Sequence, residues 1–323
     1  MKIELEGESM KKYAPIVIFA YNRADMLEQL IDSLEENIEI GECEGYIFVD
    51  VPVKEKAKDV VYNKEVLEFL EQYKKRTLFK NLKITIASEH KGLAKSIIDG
   101  VTQIICQHGK AIVLEDDLLV SNDFIDYMQR ALDYYENDDR VWSISAHSPK
   151  LKALEKYPYD VYLIPRVESL GWGTWKDRWE KTDWDVSTYR RFANSPWKHI
   201  VFNIGGNDLT NMLKMQMKNS QFDSWAIRWC YQEYLEKKYT IYPRESRVLH
   251  CGNDERSTHG VYICSQSLKP SYSRCMFEKI KLNRRLIYEF RRDNSVSFPR
   301  KVLEKLDKVI FKGSLGIRSK HTK

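Results

Sequence analysis

Three acids in a row, Glu115, Asp116 and Asp117, follow the apolar run Ala111-Ile112-Val113-Leu114 and lead into Leu118-Leu119. The run reads as a buried strand that delivers carboxylates to its C-terminal end. Adjacent acids at the mouth of such a strand repel one another and need a compensating charge or a raised proton affinity. A divalent cation with hard oxygen ligands, Mg²⁺ or Mn²⁺, supplies that charge and can grip a substrate phosphate as well. The competing reading is that the triplet caps a helix beginning near Ser121, since acids are favourable at helix N-termini.

Further groups stand where chemistry is possible. Arg23, after the apolar run Ala14–Ala20, offers a guanidinium for phosphate, and Asp50, after Gly45–Val49, a lone acid for a ribose or base. Their bland readings are a helix-start surface residue and a turn acid. Gly171-Trp172-Gly173-Thr174-Trp175 sets glycines beside broad flat rings, which suits a sugar, or else anchors a loop into the core. Asp223 precedes a helical pattern from Trp225 and fits either an N-cap or a general base. The polar loop His250–Gly260 carries Ser257 and His259, which suit a diphosphate and its metal, or a plain surface connection.

The elements that must position these groups alternate. Strands at about 14–20, 45–49, 82–86 and 111–119 are separated by helical patterns at 26–34, 54–75 and 93–105. That alternation predicts an α/β fold with a mostly parallel sheet covered on both faces, binding ligands beyond the carboxyl ends of its strands. Arg23, Asp50 and the acid triplet all fall at such ends. A helix at 122–135, a strand at 141–145, helices at 208–218 and from 225, and a short strand at 239–243 follow. The stretch between 149 and 165 reads as irregular.

The chain of 323 residues is long enough for a substantial core, and its 8 Trp and 19 Tyr suit sugar-binding surfaces and core alike. The formal charge of +5 is concentrated at the end: residues 276–323 hold 14 Lys and Arg against 5 Asp and Glu. There Val302, Leu303, Leu306, Val309 and Ile310 alternate with Lys301, Lys305, Lys308 and Lys312 as in a basic amphipathic helix. Such a helix suits an anionic membrane surface, or a solvated helix packed on the domain; no nucleic-acid motif accompanies the charge. No apolar run has membrane-spanning length and Met1–Glu6 lacks the regions of a signal peptide, which places the protein in the cytoplasm. The 6 cysteines show no zinc or CxxC spacing and read as reduced thiols.

In order along the chain, Ile18-Phe19-Ala20-Tyr21-Asn22-Arg23, Leu114-Glu115-Asp116-Asp117-Leu118, Gly171-Trp172-Gly173-Thr174-Trp175, Asp223-Ser224-Trp225 and Ser257-Thr258-His259-Gly260 resemble GT-A fold nucleotide-sugar glycosyltransferases. The likeness extends to bacterial family 2 type sugar transferases and to animal N-acetylglucosaminyltransferase I. The resemblance implies a GT-A domain over 1–265, with its nucleotide-binding half at about 14–120 and its acceptor half at 121–265. A basic helical extension over 266–323 would follow. It further implies that Arg23 meets the donor diphosphate, Asp50 its uracil or ribose, and Glu115 and Asp116 the donor sugar and ribose. Asp117 would bind Mn²⁺ or Mg²⁺ in a DxD-type motif. Ser257 and His259 would close on the diphosphate, His259 also as a metal ligand, with Trp172, Gly173 and Trp175 toward sugar or acceptor. Asp223 would be the base of an inverting transfer, although the animal enzyme has two adjacent acids where this chain has Asp223-Ser224.

The implied activity moves a sugar, from a UDP-sugar by preference, to a hydroxyl of a glycan or lipid-linked glycan in surface polysaccharide synthesis. The tail would then rest on the inner membrane face. Two other classes compete. A nucleotidylyltransferase usually carries an N-terminal glycine-rich basic loop, and Tyr21-Asn22-Arg23-Ala24-Asp25 has no glycine. A carbohydrate-binding or membrane-associated scaffold would use the tryptophans and the tail without turnover, and would tolerate loss of Asp117 or Asp223.

Overall fold

The computed structural model of the chain describes residues 12–219, 222–251, 268 and 274–294. Among the described residues the strands are β1 (Ile16–Ala20), β2 (Glu44–Val49), β3 (Asn81–Ile86), β4 (Lys110–Glu115), β5 (Leu118–Val120), β6 (Val141–Ser145), β7 (Val161–Ile164), β8 (Trp172–Trp175), β9 (Tyr239–Pro243) and β10 (Val248–His250). The α-helices are α1 (Ala24–Glu35), α2 (Ala57–Tyr73), α3 (Leu93–His108), α4 (Phe124–Tyr135), α5 (Lys176–Trp179), α6 (Tyr189–Ala193), α7 (Pro196–Phe202), α8 (Leu209–Lys218), α9 (Trp225–Glu236) and α10 (Arg284–Asp293).

Eight strands form one sheet in the order β3-β2-β1-β4-β8-β6-β9-β7, and β5 pairs with β10 in a separate two-stranded ribbon. The first four strands are parallel throughout, as alternation with crossover helices requires. Strand order reverses between β1 and β4, since the chain runs outward from β1 to β3 and then returns to β1's other side. That reversal opens a crevice at the strand ends. Beyond β4 the sheet is mixed: β8 runs antiparallel to β4 and β6, β7 antiparallel to β9, and β6 parallel to β9.

Alternate residues of β1 serve opposite faces. Ile16 and Ile18 join the core beneath α1, α2 and α4, while Val17 and Phe19 join the one beneath α3 and α9. Burial of Leu27, Leu30, Ile31 and Leu34 at helical spacing fixes α1 on the first face. A third cluster joins Tyr162 and Tyr242 to Leu286 and Phe290 of α10, so the segment 274–294 lies against the domain. Tyr135 also donates its hydroxyl proton to the Glu278 carbonyl at 2.7 Å.

Two stretches differ from expectation. The region read as irregular contains β7, and the aromatic segment is the strand β8 rather than a sugar-facing loop. Trp172 and Trp175 are each 1% exposed. Trp172 stacks on Trp229, Trp225 and Trp179 with centroids at 4.5, 5.0 and 5.6 Å, and Trp175 donates Nε1–H to the Leu132 carbonyl at 3.1 Å. Rings without a free face cannot carry a sugar, so these tryptophans are core. Gly173 belongs with them: a Cβ there would stand 3.1 Å from the Ala111 carbonyl oxygen of β4.

No helix among the described residues is long and apolar enough to cross a membrane. The amphipathic stripe at 301–312 lies outside the described residues, as do Ser257 and His259.

Candidate active site

β1 and β4 lie in parallel register with Phe19 opposite Glu115. The residues just past the ends of the two strands therefore meet at the strand-order reversal. Tyr21 N–H donates to Asp116 Oδ2 at 3.2 Å, and Arg23 Nη1 donates to Asp117 Oδ2 at 2.9 Å. The triplet does not cap a helix: β5 intervenes, and Asp123 is the residue at the N-terminal boundary of α4.

β5 turns the chain back beneath β10, with Leu118 opposite His250. This register brings His250 Nε2 to 3.1 Å from Asp117 Oδ2, and Cys251 N–H donates to the Asp117 carbonyl at 2.8 Å. His250 is a member of the site that the sequence reading placed only at the start of a loop. A three-residue strand, Val248-Leu249-His250, is too short to announce itself by periodicity.

Charge explains the arrangement. Burial, then the neighbouring charges of Asp117 and Asp116, push the Glu115 carboxyl up to about 8, with Arg23 opposing. Burial acts on Asp117 in the same sense, but the hydrogen bond and charge of His250 and those of Arg23 outweigh it and hold Asp117 below its ordinary value. The imidazole of His250 and the guanidinium of Arg23 thus meet on one oxygen of Asp117.

Asp50 closes the other wall. Its N–H donates to the Ala20 carbonyl at 3.1 Å, and Asn63 of α2 ties the two strand ends by donating to the carbonyls of Tyr21 and Asp50. The Asp50 carboxylate accepts from the N–H groups of Val51 and Lys91 at 2.9 Å and of Gly92 at 2.8 Å, with His90 Nδ1 at 3.1 Å. Gly92 stands at φ +75°, a conformation glycine adopts without a Cβ penalty. Asp50 is thus a loop organiser, 8% exposed, that shapes the crevice edge.

Asp223 lies on the segment that leads into α9. Its side chain is 58% exposed and accepts from Arg228 Nη2 at 2.7 Å. It is not the N-cap of α9 either: Ser224 is, accepting from Ile227 N–H at 3.4 Å.

Among the described residues no group of three or more His, Cys, Asp and Glu side chains is arranged to hold a metal. Asp117 Oδ2 and His250 Nε2, however, are 3.1 Å apart. Two ligands at right angles, each about 2.1 Å from an octahedral ion, stand about 3.0 Å apart. Ions that keep substrate phosphates as further ligands need only one or two protein groups. A carboxylate and an imidazole at this spacing fit that requirement.

Comparison with known proteins then places the chain. The GNT-I family profile matches residues 2–189, more than half of its length. The chain belongs to the GNT-I family. Alpha-1,3-mannosyl-glycoprotein 2-beta-N-acetylglucosaminyltransferase of Arabidopsis thaliana is 24% identical over 185 residues, covering 53% of this GNT-I family chain and 41% of the relative. The chain thus aligns with less than half the length of that protein.

Solved structures similar in fold include S. aureus TarS residues 1–349, at 11% identity and TM-score 0.41 over 73% of this chain and 59% of that one. The mannosyltransferase PcManGT from Pyrobaculum calidifontis, in complex with GDP-Man and Mn²⁺, shows 12% identity and TM-score 0.37 over 60% and 53%. Family and sheet together bear out the expected α/β architecture of GT-A type, a large central sheet flanked by helices.

Proposed function

We propose that this GNT-I family chain is a nucleotide-sugar-dependent glycosyltransferase, with UDP-N-acetylglucosamine as its favoured donor and a glycan or lipid-linked glycan hydroxyl as acceptor. The observation that carries the reading is the convergence of Arg23 and His250 on one oxygen of Asp117, at the reversal of strand order where an α/β sheet binds nucleotides. The name of the Arabidopsis relative supports the donor sugar.

Asp117 and His250 would hold Mn²⁺ or Mg²⁺, with His259 as a further candidate ligand and Ser257 as a diphosphate contact, both in the sequence beyond Cys251. When bound, the ion would neutralise charge on the donor diphosphate. The chain's own groups supply the rest. Arg23, freed from Asp117, offers a guanidinium to the same phosphates as the leaving group gains charge. Asp116, fixed by Tyr21 N–H, and Glu115 line the ribose and sugar side. Asp50 and the Lys91-Gly92 turn border the base. The attacking hydroxyl gives its proton to a group on the acceptor side, and displacement from the face opposite the diphosphate inverts the anomeric centre.

A role in surface polysaccharide assembly at the inner membrane face, with the 301–312 stripe on anionic lipid, completes the proposal. It is motivated by the excess of positive charge in residues 276–323. The test is UDP release from UDP-N-acetylglucosamine, UDP-glucose and UDP-galactose with Mn²⁺, followed by NMR of the anomeric configuration of the product. Turnover of one donor with inversion supports the reading; binding of glycans without turnover of any donor would favour a scaffold.

A further inference from the structure

α6, α7 and α8 lay Phe192, Phe202, Leu209 and Leu213 into the same core as Trp225 and Trp229 of α9. The Phe192 ring is 4.8 Å from that of His199 and 5.5 Å from that of Phe202, so His199 and Phe202 mark the inward side of α7. Trp197, Ile200 and Ile204 fall on the opposite side, at i, i+3 and i+7 along α7 and the 3₁₀ turn Asn203–Gly205 that continues it. They are 71%, 55% and 38% exposed. Thr210 N–H of α8 donates to Asn203 Oδ1 at 3.0 Å and holds that turn on the domain. A single exposed apolar side chain is ordinary, but three on one helical face, one of them tryptophan, mark a surface that is covered in use.

The charge on these three helices has one sign. From the start of α6 to the end of α8, residues 189–218 hold five basic residues, Arg190, Arg191, Lys198, Lys214 and Lys218, against the single acid Asp208. Asp208 is 8% exposed and is bound by Arg166 through hydrogen bonds of 2.7 and 3.0 Å. None of the five cations forms an ion pair among the described residues. Arg190, Arg191 and Lys218 are exposed, and Lys198 and Lys214 are half-buried, as long stems are when they lie along apolar surface with the ammonium outward.

Charge selects the occupant. A second copy of the chain, related by a two-fold axis, would set the same five cations face to face. The end of this chain brings like charge as well, with 14 Lys and Arg against 5 acids in residues 276–323. A polynucleotide supplies phosphates for the cations but no apolar counterpart for Ile200 and Ile204. An anionic bilayer supplies both: phosphates at the surface and acyl chains beneath them. Tryptophan, with an apolar ring and a polar N–H, suits the boundary between the two.

We propose that α6, α7 and α8 form a docking face for an anionic lipid surface. Trp197, Ile200 and Ile204 enter the boundary between head groups and acyl chains, and the five cations face the lipid phosphates. This face is distinct from the 301–312 stripe and does not rest on the glycosyl-transfer reading. Because the three helices pack on α9, docking seats the folded domain, and not only the tail, at the membrane.

The test is co-sedimentation of the full chain with vesicles of phosphatidylcholine alone and of an equal mixture of phosphatidylcholine and phosphatidylglycerol. Wild type binds the mixed vesicles more tightly, and added salt reduces the difference. Trp197→Ala with Ile200→Ala lowers affinity for the mixed vesicles by about tenfold or more, the worth of withdrawing a large apolar side chain from the lipid. Arg190→Gln and Arg191→Gln lower it by about fivefold each. Urea midpoints stay at the wild-type value, since all four side chains are exposed. A full-length comparator carrying Lys301→Gln, Lys305→Gln, Lys308→Gln and Lys312→Gln reports on the tail. Wild type that binds neither vesicle, or binds both equally, overturns the assignment. Loss confined to the comparator also overturns it and leaves the tail reading standing. A wild-type dimer in light scattering that Trp197→Ala with Ile200→Ala makes monomeric assigns the face to a second copy and overturns the lipid. Tighter binding to a single-stranded oligonucleotide than to the mixed vesicles overturns it too.

Discussion

Arg23 Nη1 lies 2.9 Å from Asp117 Oδ2, joining the segments that follow β1 and β4 across the reversal of strand order. The guanidinium occupies the oxygen that His250 also approaches, at 3.1 Å. A cation held by Asp117 and a guanidinium on Asp117 are therefore alternatives, and two opposite effects of one substitution follow.

Replacing Arg23 by Gln removes the competitor for Asp117 and a partner of the diphosphate at once. Binding of Mn²⁺ alone is expected to tighten, whereas binding of UDP in saturating Mn²⁺ weakens by about 10- to 100-fold, the worth of one charge-assisted hydrogen bond. Calorimetric titration of each ligand into both proteins measures the two changes. Weakening of both by the same factor would show that Arg23 supports the metal rather than competing with it.

Trp172 sits among Trp179, Trp225 and Trp229 with 1% of its surface exposed. Trp172→Ala should cost about 3–5 kcal/mol of stability, the range for deleting a buried aromatic ring. Urea denaturation measures it. The KM for donor in the remaining folded protein stays near wild type; a large rise in KM with little loss of stability would restore a sugar-facing role.

Glu233 of α9 is buried, and burial raises its carboxyl well above the ordinary value, against the Thr240 hydrogen bond and Arg166. Thr240 Oγ1 is 2.7 Å from Glu233 Oε1 and 2.7 Å from Ser143 Oγ. With the folded value above the unfolded one, the native state holds the extra proton. Its stabilisation is complete below the unfolded value of about 4.3 and declines as pH rises from there toward the folded value. Glu233→Gln mimics the protonated acid. Chemical denaturation across pH 5–9 should show a shallower fall of stability in the variant than in wild type, and parallel curves would refute the assignment.

The sequence made the crevice at the strand ends legible because each group there ends a long apolar strand. Arg23 follows Ile16–Ala20, Asp50 follows β2 and the acids end β4, so period and position agreed. His250 escaped notice because β10 has three residues and its role depends on pairing with β5, a contact across more than a hundred residues. Trp172 and Trp175 misled because a strand packed on both faces by aromatic rings shows no alternation, and its glycines imitate a loop. Ser224 took the cap expected of Asp223 by a shift of one residue.

Asp117 is the carboxylate proposed to join metal and nucleotide. The most direct measurement is calorimetric binding of UDP, with and without Mn²⁺, to wild type and to Asp117→Asn. UDP binding to wild type that strengthens at least about tenfold with Mn²⁺, a gain of about 1.4 kcal/mol, and no such gain in the variant, is the predicted result. UDP binding that is the same in both proteins and indifferent to metal would contradict it.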